Sequence, residues 1–201
     1  FSAGLGVECK PWPFLALRAN GGNGYRRPSF QELYYDLGFY AGNPELEAER
    51  SVGFDAGPVV TVGWFRAEAS YFRTEYDDLI VYLLQSGFRF RPYNVGKAVS
   101  EGVELGGGIE PWEHLKLRAN WTYAEVLDKT GDPSWRNEQV PGKPRNAVFV
   151  RCEFPVWDLC PYGEYHFVGR NPVTRANTKL LPARHIANLG IRYRATEALA
   201  I

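Results

Sequence analysis

The stretch His114-Leu-Lys-Leu-Arg-Ala-Asn-Trp-Thr-Tyr123 alternates strictly between polar and apolar residues. Leu115, Leu117, Ala119, Trp121 and Tyr123 form one series, and His114, Lys116, Arg118, Asn120 and Thr122 form the other. Successive side chains of a β-strand point to opposite faces, so this period of two predicts a strand with one oily and one wet face. The same split sets Val52, Phe54 and Ala56 against Ser51, Gly53 and Asp55. It recurs in Val148, Val150, Cys152 and Phe154 against Arg145, Arg151 and Glu153. A further copy sets Ala187, Leu189, Ile191 and Tyr193 against Asn188, Arg192 and Arg194. The pattern predicts nine strands and the start of a tenth, near 3–10, 14–22, 48–56, 59–74, 93–109, 114–126, 145–154, 159–169, 184–195 and 198 onward. It begins in mid-strand at Phe1 and renews at Leu199, and so predicts an excerpt, 1–201, of a larger barrel that is incomplete at both ends.

The connections sort by length. Short turns are expected near Pro11–Pro13, Gly57–Pro58, Pro111–Glu113, Pro155–Asp158 and Thr196–Glu197. Long polar or aromatic connections are expected at 22–47, 76–92, 128–143 and 170–183. Short and long alternate, as they must when an up-and-down antiparallel sheet keeps its tight turns at one end and its loops at the other. The wet face carries more Arg, Glu, Asn and Lys than a dry core tolerates. A wide transmembrane barrel accommodates both faces, with lipid outside and a wet or plugged lumen inside. Trp12, Trp112, Trp157 and Tyr193 are expected at the membrane interface.

Composition excludes little. Lys+Arg and Asp+Glu both number 23, which gives no electrostatic basis for a nucleic-acid partner. Mean hydropathy is −0.33, and no apolar run approaches the roughly 20 residues of a membrane helix. An alternating barrel strand also averages to polar, so that value does not argue for a soluble protein. Cys9, Cys152 and Cys160 match no zinc or CxxC spacing. Cys152 and Cys160 flank one short turn, where a disulfide requires side chains on the same face. No GxSxG, HExxH or P-loop is present, and the residues call for no enzyme and no resident cofactor.

The first long connection, between Arg26 and Ser51, is dense in aromatic, Pro and Gly residues. It contains Tyr25-Arg-Arg-Pro28, Glu32-Leu-Tyr34, Gly42-Asn-Pro44, Leu46 and Glu49-Arg-Ser51. Beyond it come Tyr76-Asp-Asp-Leu-Ile80, Tyr93-Asn-Val-Gly-Lys97 and Gly102-Val-Glu104. In this order the set resembles the C-terminal barrel half of TonB-dependent outer-membrane receptors. The resemblance implies an all-β antiparallel barrel of about 22 strands around an N-terminal plug, in the outer membrane of a Gram-negative bacterium. It also implies active import of a scarce, bulky nutrient, a ferric siderophore or cobalamin, with energy drawn from the TonB complex through a region outside this sequence. Outer-membrane lipid and lipopolysaccharide are the other implied partners. The alternative is a passive porin or a structural or adhesin barrel.

Haem receptors of this family carry a histidine between the first two boxes, and residues 26–46 have none. His114 falls at a short turn, and His166 and His185 fall on strands flanking one long loop, which disfavours haem. Recognition of a bulky ligand needs stacking surfaces and a few charged groups on loops held by a rigid scaffold. The candidates are Arg26, Arg27, Tyr34, Tyr35 and Tyr40, with Phe39, in the first long loop, Tyr82 in the second, Trp135 and Arg136 in the third, and Arg170 in the fourth. Gly42 and Asn43-Pro44 are expected to shape the loop rather than touch ligand.

Overall fold

The computed structural model describes residues 2–196 and 199–200. In chain order its elements are Ala3–Trp12 (β1), Leu15–Arg26 (β2), the short helix Phe30–Tyr34 (α1), Glu49–Val62 (β3), Phe65–Asp77 (β4), Ile80–Leu84 (β5), Phe90–Asn94 (β6), Lys97–Trp112 (β7), Leu115–Asp128 (β8), Asn146–Glu153 (β9), Leu159–Val168 (β10), Asn171–Pro172 (β11), Leu180–Leu181 (β12), Arg184–Thr196 (β13) and Leu199–Ala200 (β14). Ten of the strands form one sheet in the order β1-β2-β3-β4-β7-β8-β9-β10-β13-β14, every neighbouring pair antiparallel. The sheet is open, with β1 and β14 at its edges. β5–β6 and β11–β12 are small separate hairpins within the second and fourth long connections.

Register assigns the faces, because residues directly opposite each other share one side of the sheet. Val7, Ala19, Ala56 and Tyr71 lie in one lateral row, and Ala69, Leu105, Trp121 and Val148 in another; both belong to the apolar face. On the other face Arg18 Nε donates to Glu8 Oε2 at 2.6 Å and Asn20 Nδ2 to Asp55 Oδ2 at 2.8 Å. Farther along that face Arg151 Nε donates to Glu153 Oε1 at 2.5 Å, and its Nη1 pairs with Glu164. Charges there are matched both across strands, as in Arg18–Glu8 and Arg151–Glu164, and along one strand, as in Arg151–Glu153. Cys152 lies opposite Leu117 and Gly163 on the apolar face, whereas Cys160 lies opposite Arg192 on the polar one. Both cysteines are therefore free, and no disulfide joins them.

A single sheet cannot bury both of its sides. The chain exposes 13165 Å2, where a compact protein of 22.7 kDa exposes about 9,500 Å2. The buried apolar cluster of Leu79, Val81, Val95, Ala98, Val126 and Val140 lies at the long-loop end of the sheet. Leu5, Val7, Val52, Phe54, Leu105 and Leu189 are exposed on the apolar face. Among the described residues no helix is long and apolar enough to cross a membrane.

The tight turns fall at Pro13–Phe14, Gly63–Trp64, Glu113–His114 and Trp157–Asp158. Three agree with the sequence pattern; the turn expected at Gly57–Pro58 is displaced, and Glu197 of the fifth lies outside the described residues. β3 runs straight through Gly57 and Pro58, with β2 still in register on one side. On the β4 side the pairs at these two positions drop out, and they resume at Val59↔Glu68 with the same register. Pro58 has no N–H to donate. A Cβ on Gly57 would meet the Ala69 carbonyl oxygen at 1.8 Å, so the strands come close only because a glycine is there. The real turn uses Gly63, at φ 53°, where a side chain is strained. Its relocation adds a tryptophan to the expected interface set: Trp12, Trp64, Trp112 and Trp157 each sit in or beside one of the four turns, all exposed.

The wall is not level at its other end. β9 stops at Asn146, opposite Tyr123, while β8 continues to Asp128. Above that point loop residues satisfy β8: Val140 N donates to Val126 O at 2.8 Å and Asp128 N to Glu138 O at 2.9 Å.

The face assignment has a direct test in the intact barrel. Leu105→Arg puts a cation at mid-height on the apolar face and should cost about 2–4 kcal/mol. Asn120→Arg, on the polar face, should cost far less. Unfolding of the intact barrel from lipid vesicles in denaturant would measure both, and equal losses would contradict the assignment.

Candidate functional site

The four long connections emerge at one end of the sheet and pack as two pairs. Residues 27–48 and 78–96 make the first pair. Its anchor is Arg26, whose Nε donates to Glu49 Oε2 at 2.5 Å and whose Nη1 lies 3.0 Å from Glu32 Oε2. Glu49 Oε1 also accepts from the Ile80 amide at 2.6 Å, so one carboxylate ties β3 to the start of β5. Ser29 and Glu32 form a reciprocal capping box at the start of α1, satisfying donors that a five-residue helix cannot satisfy itself. Burial pushes the Glu32 carboxyl up, but hydrogen bonds from Arg26 and Ser29 outweigh it and hold the group below its ordinary value.

Asn43, in the Gly42-Asn-Pro44 box, is buried and donates to the Pro92 carbonyl at 2.9 Å; its Oδ1 accepts from the Glu45 amide at 3.2 Å. Asn94 Nδ2 donates to the Glu47 carbonyl at 3.1 Å. Arg89 pairs with Asp36 and donates to the Tyr40 carbonyl at 2.7 Å. A Cβ on Gly42 would lie 2.6 Å from the Leu33 carbonyl oxygen, so this position accepts only glycine. These contacts hold an exposed aromatic group in place. Tyr40 lies 6.5 Å from Tyr35, 6.2 Å from Tyr82 and 6.3 Å from Phe90, ring centre to ring centre. Phe30 and Tyr34 form a second pair at 4.8 Å. Burial, with the nearby Glu32 and Tyr40, pushes the Tyr82 hydroxyl up from its ordinary value.

Residues 129–145 and 169–183 make the second pair. Arg175 donates through Nε and Nη2 to Asp128 Oδ2, at 2.9 and 2.7 Å, and Asp128 is 2% exposed. The Arg175 guanidinium lies over the Trp135 ring at 5.4 Å. Asn177 Nδ2 donates to Glu138 at 2.7 Å, and the Gly142 amide to the Pro172 carbonyl at 2.8 Å. The Lys129 amide donates to the Lys97 carbonyl of β7 at 2.8 Å, and the two pairs meet in the buried apolar cluster, which brings Leu79, Val81 and Val95 together with Val140.

Tyr35, Tyr40 and Tyr82 of the candidate set are thus in one cluster, with Tyr34 on the neighbouring helix. Arg26 is engaged by two carboxylates, and Trp135 supports Arg175. Arg27, Arg136 and Arg170 are exposed and engage no carboxylate among the described residues. His114 lies in a tight turn with Nδ1 2.8 Å from the Pro155 carbonyl. His166 and His185 sit on opposite faces, so they do not act together. His185 shares the apolar face with Tyr165, whose hydroxyl is 2.7 Å from its Nδ1. Sequence reasoning missed the Asp128–Arg175 latch and the tie from Asn43 to Pro92, because both join residues 47 or more apart in sequence. Their only local signal is a lone polar residue amid turn-forming neighbours.

The TonB dependent receptor-like, beta-barrel family model matches residues 1–201. The chain belongs to that family. Members are Gram-negative outer-membrane β-barrels that act in transport rather than catalysis, and the long-loop end of this one faces outward from the cell. A vitamin B12 transporter of Photobacterium profundum is 25% identical over 191 residues, covering 93% of this chain and 30% of that protein. A transferrin-binding protein A of Neisseria meningitidis serogroup B is 35% identical over 202 residues, covering 92% of this chain and 18% of that protein. Among solved structures, the ferric enterobactin receptor of Pseudomonas aeruginosa superposes over 98% of this chain and 33% of its own, at TM-score 0.70 and 22% identity. A copper transporter gives the same TM-score at 17% identity, over 98% of this chain and 32% of its own. These two likenesses establish the fold alone. The chain spans at most 30% of the curated relatives it matches.

Two outcomes follow for the loops. Removing the cation with Arg175→Ala leaves Asp128 buried and uncompensated, a local cost of about 3–5 kcal/mol; limited proteolysis of the intact receptor should then cut within 169–183. The Glu32 pair behaves as a depressed carboxylate must. Its contribution is complete above the ordinary value of 4.5 and is lost as pH falls through the lower folded value. Amide exchange of residues 29–35 should therefore accelerate only below that range, and Glu32→Gln should flatten the response.

Proposed function

We propose that the receptor containing this chain imports a bulky anionic metal chelate of the ferric siderophore class, with energy supplied through TonB. Family membership supports transport, and one observation on the rim supports the substrate class. Residues 129–145 and 169–183 carry seven Lys or Arg against two Asp or Glu, a net +5, while 27–48 and 78–96 carry three against five, a net −2. The acidic pair holds the aromatic cluster of Tyr35, Tyr40, Tyr82 and Phe90; the basic pair presents Arg136, Lys143, Arg170 and Lys179 to solvent. A rim with one stacking half and one cationic half suits a ligand with aromatic groups and negative charge. Cobalamin has no comparable anionic surface for the basic half to meet. No histidine lies among residues 26–46, which argues against haem there.

The test is ligand binding by the intact receptor, with cobalamin, haem and a panel of ferric siderophores compared across ionic strength. An anionic ferric chelate should bind best and weaken as salt rises. Tyr40→Ala and Tyr82→Ala should each weaken binding by roughly threefold to tenfold, the scale of one lost aromatic contact. Neutralising Arg136, Lys143, Arg170 and Lys179 together should remove most of the salt dependence. Tight, salt-insensitive binding of cobalamin, or the lack of a plug domain in the full-length protein, would overturn the reading.

A further inference from the structure

Pro58 leaves one acceptor in the wall without its donor. The Thr61 amide donates to the Phe14 carbonyl at 2.8 Å, so Thr61 turns its backbone groups toward β2. Backbone groups of an antiparallel strand alternate between its two neighbours, so those of Pro58, three residues earlier, turn toward β4. The flanking pairs Ala56↔Tyr71 and Val59↔Glu68 set Pro58 opposite Ala69 and Gly57 opposite Ser70. An amide at position 58 would donate to the Ala69 carbonyl, and proline has none. No loop or side-chain donor among the described residues reaches that oxygen. The adjacent Ser70 hydroxyl lies 3.5 Å from the Ala56 carbonyl instead.

The oxygen sits at a depth where a missing partner is costly. Ala69 belongs to the row of Leu105, Trp121 and Val148, at mid-height on the apolar face. Lipid offers a carbonyl no donor there. The wet side does. A Cβ on Gly57 would point to the wet face and meet the Ala69 oxygen at 1.8 Å. The oxygen therefore lies in the space a side chain would have filled, and only glycine leaves it open to the interior. A hollow of about 580 Å3 adjoins it, lined by Gly57, Ala69 and Ser70 together with Arg18, Asp55 and Glu104. Arg18 stands directly opposite Gly57 on β2. A buried water is held where a site is polar, has room for it and offers about two to four partners. This hollow meets all three conditions.

We propose that Gly57 and Pro58 build a water-binding site into the wet face of the wall. An ordered water donates to the Ala69 carbonyl in place of the missing amide, and the polar groups of the hollow hold its other side. Proline creates the need for the water and glycine opens the way to it, so the two residues act as one feature. The hollow stays hydrated in the intact receptor rather than being filled by the plug. The site does not depend on which nutrient the rim binds.

The test is a high-resolution crystal structure of the intact receptor, native and as Pro58→Val, with amide exchange measured on both. The native receptor should hold a water within hydrogen-bond distance of the Ala69 oxygen. Pro58→Val supplies an amide, so the water should be lost and the new amide should exchange as slowly as its ladder neighbours. Nutrient binding, which uses other residues, should be unchanged. The native structure decides the matter if the variant fails to insert. A plug side chain on the Ala69 oxygen, no neighbour on it at all, or a water that persists in Pro58→Val while the new amide exchanges freely would overturn the proposal.

Discussion

In hydrocarbon, a strand's N–H and C=O groups can bond only to the strand beside them, because no water is available to replace a missing partner. Each element of the wall is built to that constraint. All ten sheet strands pair antiparallel with their neighbours, and the chain spends its short connections on one side and its long ones on the other. A residue that cannot donate is tolerated only where the loss is confined. Pro58 meets that condition by giving up its pairing on the β4 side alone, with Gly57 letting the backbones stay close.

The same constraint moves ordinary core-building to an unusual place. The sheet's apolar face is reserved for lipid and its polar face for a wet interior, so neither forms a conventional core. Burial is concentrated at the loop end, where Val95, Ala98 and Val140 are almost fully enclosed and Asp128 and Asn43 are satisfied by partners distant in sequence. The loops are thus the best-packed part of the chain, and the aromatic groups they carry are held in position before any ligand arrives.

The wall was legible from the chain because alternation is a local signal. A period of two can be counted residue by residue, and His114–Tyr123 shows it without reference to anything else. The turn at Gly63 was missed because Gly57–Pro58 is the stronger local breaker, and only the pairing of β2, β3 and β4 shows that the ladder passes through it. That error also hid Trp64 from the interface set. The boxes between Tyr25 and Ser51 named the family and placed Tyr35 and Tyr40 on the rim. They did not show that Arg26 is committed to Glu49 and Glu32, or that Arg175 closes on Asp128. Those pairings depend on how four separate connections meet in space, and no window of sequence contains them.

Where β9 stops at Asn146 and β8 runs on to Asp128, residues 138–140 complete the hydrogen bonding that a neighbouring strand supplies lower down. The upper course of the wall is therefore a seam. It can part there by releasing a few bonds to a loop, while the ladder within the membrane stays whole. The basic loop pair is fastened across this seam by Arg175. A receptor made this way can change the shape of its mouth without putting its bilayer-spanning part at risk.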